Sequence, residues 1–165
     1  MRIFLFVFLF IISQLTYAQD YKFHSVFIYN FTRYIEWPDS YKVDDFVIGV
    51  LGKTQLMDQL DVMAKTRTVG NQKISIKRFN KPSDIGKCHM LFVPADKSSE
   101  LEAIKESLNN SPTLIITEQE GLGSEGSGIN FIQVDGRWKF ELNESAVVDH
   151  NLKVSSELKK LAILI

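Results

Sequence analysis

The chain has 165 residues, 45% of them hydrophobic, and 19 basic against 20 acidic side chains for a formal net charge of −1. That length bounds it to one domain able to bury a core without staples. The near-neutral balance argues against nucleic acid as a partner, since phosphate binding requires a concentrated basic face and no basic stripe appears beyond the adjacent Lys77 and Arg78. A single cysteine, Cys88, excludes an intramolecular disulfide.

Met1–Ala18 reads as an export signal. Arg2 supplies the positive start, Ile3–Ile12 is an unbroken apolar run, and Thr16 and Ala18 are the small residues of a cleavage site before Gln19. The run falls short of the roughly 20 apolar residues a spanning helix needs. A mature chain of residues 19–165 is therefore expected as one domain, periplasmic where the cell has an outer membrane and otherwise secreted.

Residues 21–38, YKFHSVFIYNFTRYIEWP, predict an amphipathic helix that Pro38 stops at Trp37. Phe23, Phe27, Phe31 and Ile35 form its apolar stripe, with Val26 and Tyr34 widening it. Lys22, Ser25, Tyr29, Arg33 and Glu36 fall on the other side. After a polar connector, Phe46–Leu51 reads as a buried strand closed by Gly52. Thr54 is placed to cap a helix carrying Leu56, Leu60 and Met63, up to about Lys65. Thr66–Asn71 reads as a turn, Gln72–Phe79 as an alternating strand, and Cys88–Val93 as a core strand ended by Pro94. Ser99-Glu100-Leu101-Glu102 matches a capping box before a helix with Leu101, Ile104 and Leu108. Thr113–Thr117 is again a short apolar strand.

The sharpest local signal is Asp135-Gly136, a type I′ turn dipeptide between two strand-like runs. A two-residue loop there sets Phe131 against Phe140, Ile129 against Leu142 and Asn130 against Glu141. Asn143 is a cap for a short helix through His150, Asn151 a left-handed stop, and Ser155 a cap for a last helix with Leu158, Leu161, Ala162 and Ile165 on one stripe. The predicted order is α-β-α-β-β-α-β-β-β-α-α. It points to a three-layer α/β sandwich, a central mixed sheet flanked by helices, ending in a β-hairpin and two short helices.

No catalytic constellation emerges. Gly121-Leu122-Gly123-Ser124-Glu125-Gly126 matches the letters of a dinucleotide fingerprint. A strand follows where a helix is needed, and Glu118, Glu120 and Glu125 would repel phosphate, so it reads as a flexible loop. Ser124 and Ser127 lack the flanking glycines of a nucleophile elbow. Asp44-Asp45 lacks the alternating ligands of a calcium loop. His24, His89 and His150 are too scattered for a metal site, His24 and His150 being expected solvated or capping. Cys88 is expected as a buried thiol, and Cys88 and His89 should face opposite sides of their strand. No cofactor is expected. Candidate contact residues are Tyr29, Arg33 and Trp37 on the exposed rim of the first helix, and next Asn143, Lys153 and Ser155.

Three blocks together resemble the YfiR-like family of small exported proteins: residues 21–38, FVIGVLG at 46–52 with CHMLFVP at 88–94, and GSGINF at 126–131 with FELNESAVVDHNLKVSSELKKLA at 140–162. The resemblance covers Tyr21–Ala162. It implies an α/β fold and a non-enzymatic periplasmic sensor or repressor that acts by protein contact. The founding member represses a membrane-bound diguanylate cyclase through its periplasmic sensor domain, lowering cyclic-di-GMP and biofilm formation. Related domains are joined to sensor histidine kinases. Expected partners are thus a membrane-bound diguanylate cyclase or histidine kinase, a second copy of the chain being a further candidate. The founding repressor has disulfides; with Cys88 alone, redox control by an intramolecular disulfide is excluded here. The alternative is a periplasmic small-molecule binding module serving a transporter or receptor. A hydrolase ranks behind both for want of a nucleophile–base or metal constellation.

Overall fold

Phe46–Leu51 (β2) is buried at every position, as a strand covered on both faces must be. The structure, a computed structural model, describes residues 21–165; the proposed export signal Met1–Ala18 and its cleavage site lie outside the described residues. Side chains of β2 divide by parity. Phe46, Ile48 and Val50 join one apolar cluster, and Val47 and Leu51 join another on the opposite face. This produces three layers.

The first helix, α1, covers residues 21–31. It is followed by β1 (Ile35–Glu36), β2, α2 (Leu56–Ala64), β3 (Thr68–Val69), β4 (Gln72–Phe79), β5 (Met90–Val93), α3 (Leu101–Leu108) and β6 (Leu114–Thr117). Then come β7 (Ile129–Val134), β8 (Arg137–Leu142), α4 (Glu144–Asp149), β9 (Lys153–Val154), α5 (Ser156–Leu161) and β10 (Ile163–Leu164). The main sheet has the order β10-β8-β7-β6-β5-β2-β4-β3, and β1 and β9 form a separate antiparallel pair. Within it, β4, β2, β5, β6 and β7 are mutually parallel. Packing from α1, α2, α4 and α5 closes one face, and α3 with Leu122 closes the other. The mixed three-layer α/β architecture expected from the chain is what forms.

The hairpin follows the expected register: Phe131 pairs with Phe140, Ile129 with Leu142 and Asn130 with Glu141. Asp135 and Gly136 both take positive φ, 52° and 70°, as a type I′ turn demands. Asn143 Oδ1 accepts from the Ala146 amide at 3.0 Å and Ser155 Oγ from the Leu158 amide at 3.2 Å, so both caps are made. Asn151 is left-handed, φ 55°.

Several expectations are corrected. α1 ends at residue 31, not at Trp37: Thr32, Arg33 and Tyr34 donate to the carbonyls three residues earlier, and the chain then extends into β1. Pairing supplies the reason. Ile35 and Glu36 lie opposite Val154 and Lys153, and the Ser155 amide donates to Tyr34 O at 2.8 Å, so β9 satisfies backbone groups a longer helix would have bonded internally. The buried stripe of α1 is His24, Ile28 and Phe31, with Ser25 also buried; Phe23 and Phe27 flank it half-buried, and Val26 is exposed. The turn reading of residues 66–71 missed β3, which pairs with β4. No side-chain cap forms at Glu100, because residues 95–100 continue into α3 as a 3-10 helix. The last helix stops at Leu161, and Ile163–Leu164 add a parallel strand to β8, which leaves Leu161 and Ile165 exposed.

Candidate functional site

The strand order defines where a site forms. Numbered in chain order, the parallel strands run 2-1-3-4-5 across the sheet, with β2 first, so successive connections depart in opposite directions from β2 and β5. In open α/β sheets ligands bind in the crevice beyond the carboxyl ends of strands where this reversal occurs. A cleft of about 490 Å³ lies there, lined by Tyr21, Lys53, Thr54, Gln55, Pro94, Ala95, Asp96 and Glu118. Lys53–Gln55 follow β2 after Gly52, which takes φ 75°. Pro94–Asp96 follow β5, Glu118 follows β6, and Tyr21 comes from α1.

Glu118 organises the floor. Its Oε1 accepts from the Ala95 amide at 3.2 Å and from the Tyr21 hydroxyl at 3.4 Å, and its Oε2 is 3.8 Å from His24 Nε2. The Glu118 side chain is 10% exposed and that of His24 1%. Burial pushes the Tyr21 phenol above its ordinary value, and the nearby Glu118 and Asp96 charges push the same way. Edge-to-face contacts with Phe131 (4.2 Å) and Trp138 (4.6 Å) hold the His24 ring. The expectation of a solvated or capping His24 is thus corrected: the ring is fully buried under the sheet's aromatic face. Beside this floor, Thr117 Oγ1 donates to Asn130 Oδ1 at 2.7 Å and lies 2.9 Å from Ser127 Oγ, while Asn130 Nδ2 donates to Glu141 at 2.9 Å.

At the opposite end of the strands, Trp37 is 5% exposed and its Nε1 donates to His89 O at 3.1 Å. The exposed-rim expectation for this indole is corrected, because β1 swings it inward onto Phe46. His89 Nδ1 accepts from the Val47 amide at 3.0 Å, so the ring proton sits on Nε2, which donates to Tyr41 O at 2.6 Å. Burial lowers the His89 pKa. Cys88 is buried on the other face, and burial raises its thiol to about 12, far from reactivity. His150 is also buried, with Nδ1 2.8 Å from Ser111 O.

The remaining candidate contact residues fall into two places. Tyr29 is half-buried beneath two guanidinium groups, Arg33 at 5.4 Å and Arg67 at 5.5 Å from its ring centre, and its hydroxyl reaches Thr68 O at 3.4 Å. Arg33 is exposed and lines a second cavity of about 470 Å³ with Trp37, Lys42, Gln72 and His89. Lys153, exposed, lies opposite Glu36 in the β1–β9 pair with Nζ 3.9 Å from its carboxylate. The structure therefore joins the Arg33 region to Lys153 and Ser155, which appeared separate in the chain. Asn143 is not part of that surface patch; its Nδ2 donates to Gly123 O at 2.9 Å and its Oδ1 caps α4.

The glycine-rich stretch is a packed turn and not a free loop: Leu122 is 4% exposed, and Gly121 and Gly126 take φ 90° and 107°. Among the described residues no His, Cys, Asp and Glu side chains group in a way that could hold a metal ion. No described helix is long and apolar enough to cross a membrane. Sequence reasoning missed Tyr21, Lys53, Asp96 and Glu118. Their only signal was position, in the first helix or after a strand, and it acquires meaning only once the strand order is known.

The doubly wound sheet, with a cleft at its switch point, defines the chain as a three-layer α/β domain. The family profile described as YfiR/HmsC-like matches residues 21–163, and the chain belongs to that family. Comparison with curated proteins found no significant match.

Proposed function

We propose that this is an exported, non-enzymatic regulator that acts by contact on the periplasmic domain of a membrane signalling protein, a diguanylate cyclase or a sensor histidine kinase. Membership of the YfiR/HmsC-like family supports a periplasmic role in cyclic-di-GMP signalling. The observation that carries the contact reading is the surface around Tyr29, where Arg33 and Arg67 present their guanidinium groups over one aromatic ring. Arg and Tyr in such an arrangement are frequent anchors of protein interfaces, and the ring holds the two long side chains partly ordered before a partner arrives. The β1–β9 pair extends this surface to Glu36 and Lys153.

The test is charge reversal at Arg33, whose side chain is solvated and whose replacement removes no core contact. Arg33→Glu is expected to retain its circular dichroism and melting temperature while losing repression, read as raised cyclic-di-GMP or kinase output in cells. Repression that survives both Arg33→Glu and Arg67→Glu in folded protein places the contact surface elsewhere.

A further inference from the structure

We propose that the open edge of β4, Ile74–Phe79, takes up an acidic extended segment of the partner protein as an added strand. The proposal rests on the contact reading above and names the chemistry of the segment contacted. It extends the Arg33 surface, because Arg67 belongs to both.

Two independent observations carry it. The first concerns the backbone. On one side, Ile74–Phe79 of β4 pair residue by residue with Phe46–Leu51 of β2. On the other side, β3 reaches only Gln72 and Lys73. Ile74–Phe79 therefore carry a ladder on one side alone, and the backbone N–H and C=O groups of the other side point outward. Edges of this kind receive extended peptides by strand addition.

The second is charge. Residues 65–81 hold six basic side chains, Lys65, Arg67, Lys73, Lys77, Arg78 and Lys81, and no acidic one, in a chain whose total balance is −1. All six are exposed. Among the described residues only Lys81 has a carboxylate within 4 Å, that of Asp84 at 3.9 Å. Along the chain these cations are interleaved with uncharged residues; the β3–β4 hairpin sets Thr68 opposite Lys73 and so brings Arg67 beside the strand. Alternation puts Lys73 and Lys77 on the face that carries Phe79, about 13 Å apart, and Arg78 on the face of Ile74. A strand with an acid at every second position presents carboxylates at the same spacing, so one register meets both lysines, and its alternate apolar residues lie beside half-buried Ile76. The same lysines disfavour a second copy: an antiparallel copy centred on Ser75 would set Lys73 against Lys77. Because the total is −1, the rest of the chain is net acidic, and the molecule is steered basic edge first toward an acidic partner.

The experiment titrates purified protein, residues 19–165, with a blocked peptide of alternating valine and glutamate, about ten residues long, at about 50 and about 300 mM salt. The controls are its valine–lysine and proline–glutamate analogues, the latter keeping the charge but losing the strand, and phosphatidylglycerol vesicles. The valine–glutamate peptide is expected to bind saturably, one per chain, with Kd below about 1 mM at the lower salt and more weakly at the higher. The lysine analogue should not bind, and the proline analogue should bind at least about tenfold more weakly. Amide hydrogen exchange across Ile74–Phe79 should slow in the complex. The double variant Lys73→Glu, Lys77→Glu, altered only at exposed sites, should keep its circular dichroism and switch its preference to the lysine peptide. Three results overturn the proposal: no saturable binding of the valine–glutamate peptide, equal binding of the proline analogue, or unchanged binding in the double variant. Vesicle binding without peptide binding also overturns it, and assigns the basic edge to a lipid surface. None of these outcomes bears on repression by Arg33→Glu, so the contact reading stands or falls separately.

Discussion

Trp37 Nε1 donates to the backbone carbonyl of His89 at 3.1 Å, fastening the segment after α1 to the start of β5 across 52 positions of sequence. The indole also packs edge-on against Phe46 at 5.0 Å. Trp37 is therefore a structural peg under the Arg33 surface. Trp37→Ala is expected to cost about 3–5 kcal/mol, read as a large drop in the urea midpoint. Any loss of repression in that variant should track loss of folded protein. A normal midpoint would show that the indole is not held in the core.

His89 makes stability depend on pH. Its Nδ1 must stay unprotonated to accept the Val47 amide, and burial lowers its pKa below the usual imidazole value. The folded state thus binds fewer protons than the unfolded state, so this contribution is present above about pH 6.5 and is lost as pH falls below it. Urea midpoints measured from pH 7.5 down to 5 should decline in the native chain and decline less in His89→Gln. Equal slopes in the two proteins would remove His89 as the source.

Cys88 should behave as an inert core thiol. It is fully buried among Leu51, Leu91 and Ile104, and its pKa is raised to about 12. Native protein is expected to resist thiol reagents at pH 8 until denaturant is added. Cys88→Ser places a hydroxyl in a core site whose polar neighbour is the Thr113 side chain and should cost about 1–3 kcal/mol. Fast labelling without denaturant, or a disulfide-linked dimer on a non-reducing gel, would contradict the burial.

Gly136 tests the hairpin through the backbone alone. Its φ is 70°, and beyond its own chain neighbours nothing lies within 4 Å of where a Cβ would stand. Gly136→Val should therefore destabilise by about 1–3 kcal/mol through strain without any clash, and Gly136→Asn by less, since Asn tolerates the left-handed region. Equal midpoints for the two variants would mean that the turn relaxes to another type.

Some of this molecule could be read along the chain. Asp135-Gly136, the caps Asn143 and Ser155, and the apolar runs of β2, β5 and β6 each declare themselves within a few residues, because turn dihedrals, capping bonds and side-chain alternation are local physics. The end of α1 does not. The apolar spacing from Phe23 to Ile35 fits a helix, yet Ile35–Glu36 become a strand because Lys153–Val154, distant in sequence, offer better backbone partners. The same distance hid the cleft. Glu118, Asp96, Lys53 and Tyr21 are four ordinary polar residues until β2, β5 and β6 lie side by side.

The sequence by itself determined the α/β class, the hairpin register, the buried thiol and the family to which the chain belongs. Only the tertiary structure decided that Trp37 is buried, that Arg67 joins Arg33 over Tyr29, and that a cleft forms at the reversal of strand order. Periodicity tells which residues turn toward a neighbour, but which neighbour stands there depends on the pairing of strands far apart in the chain.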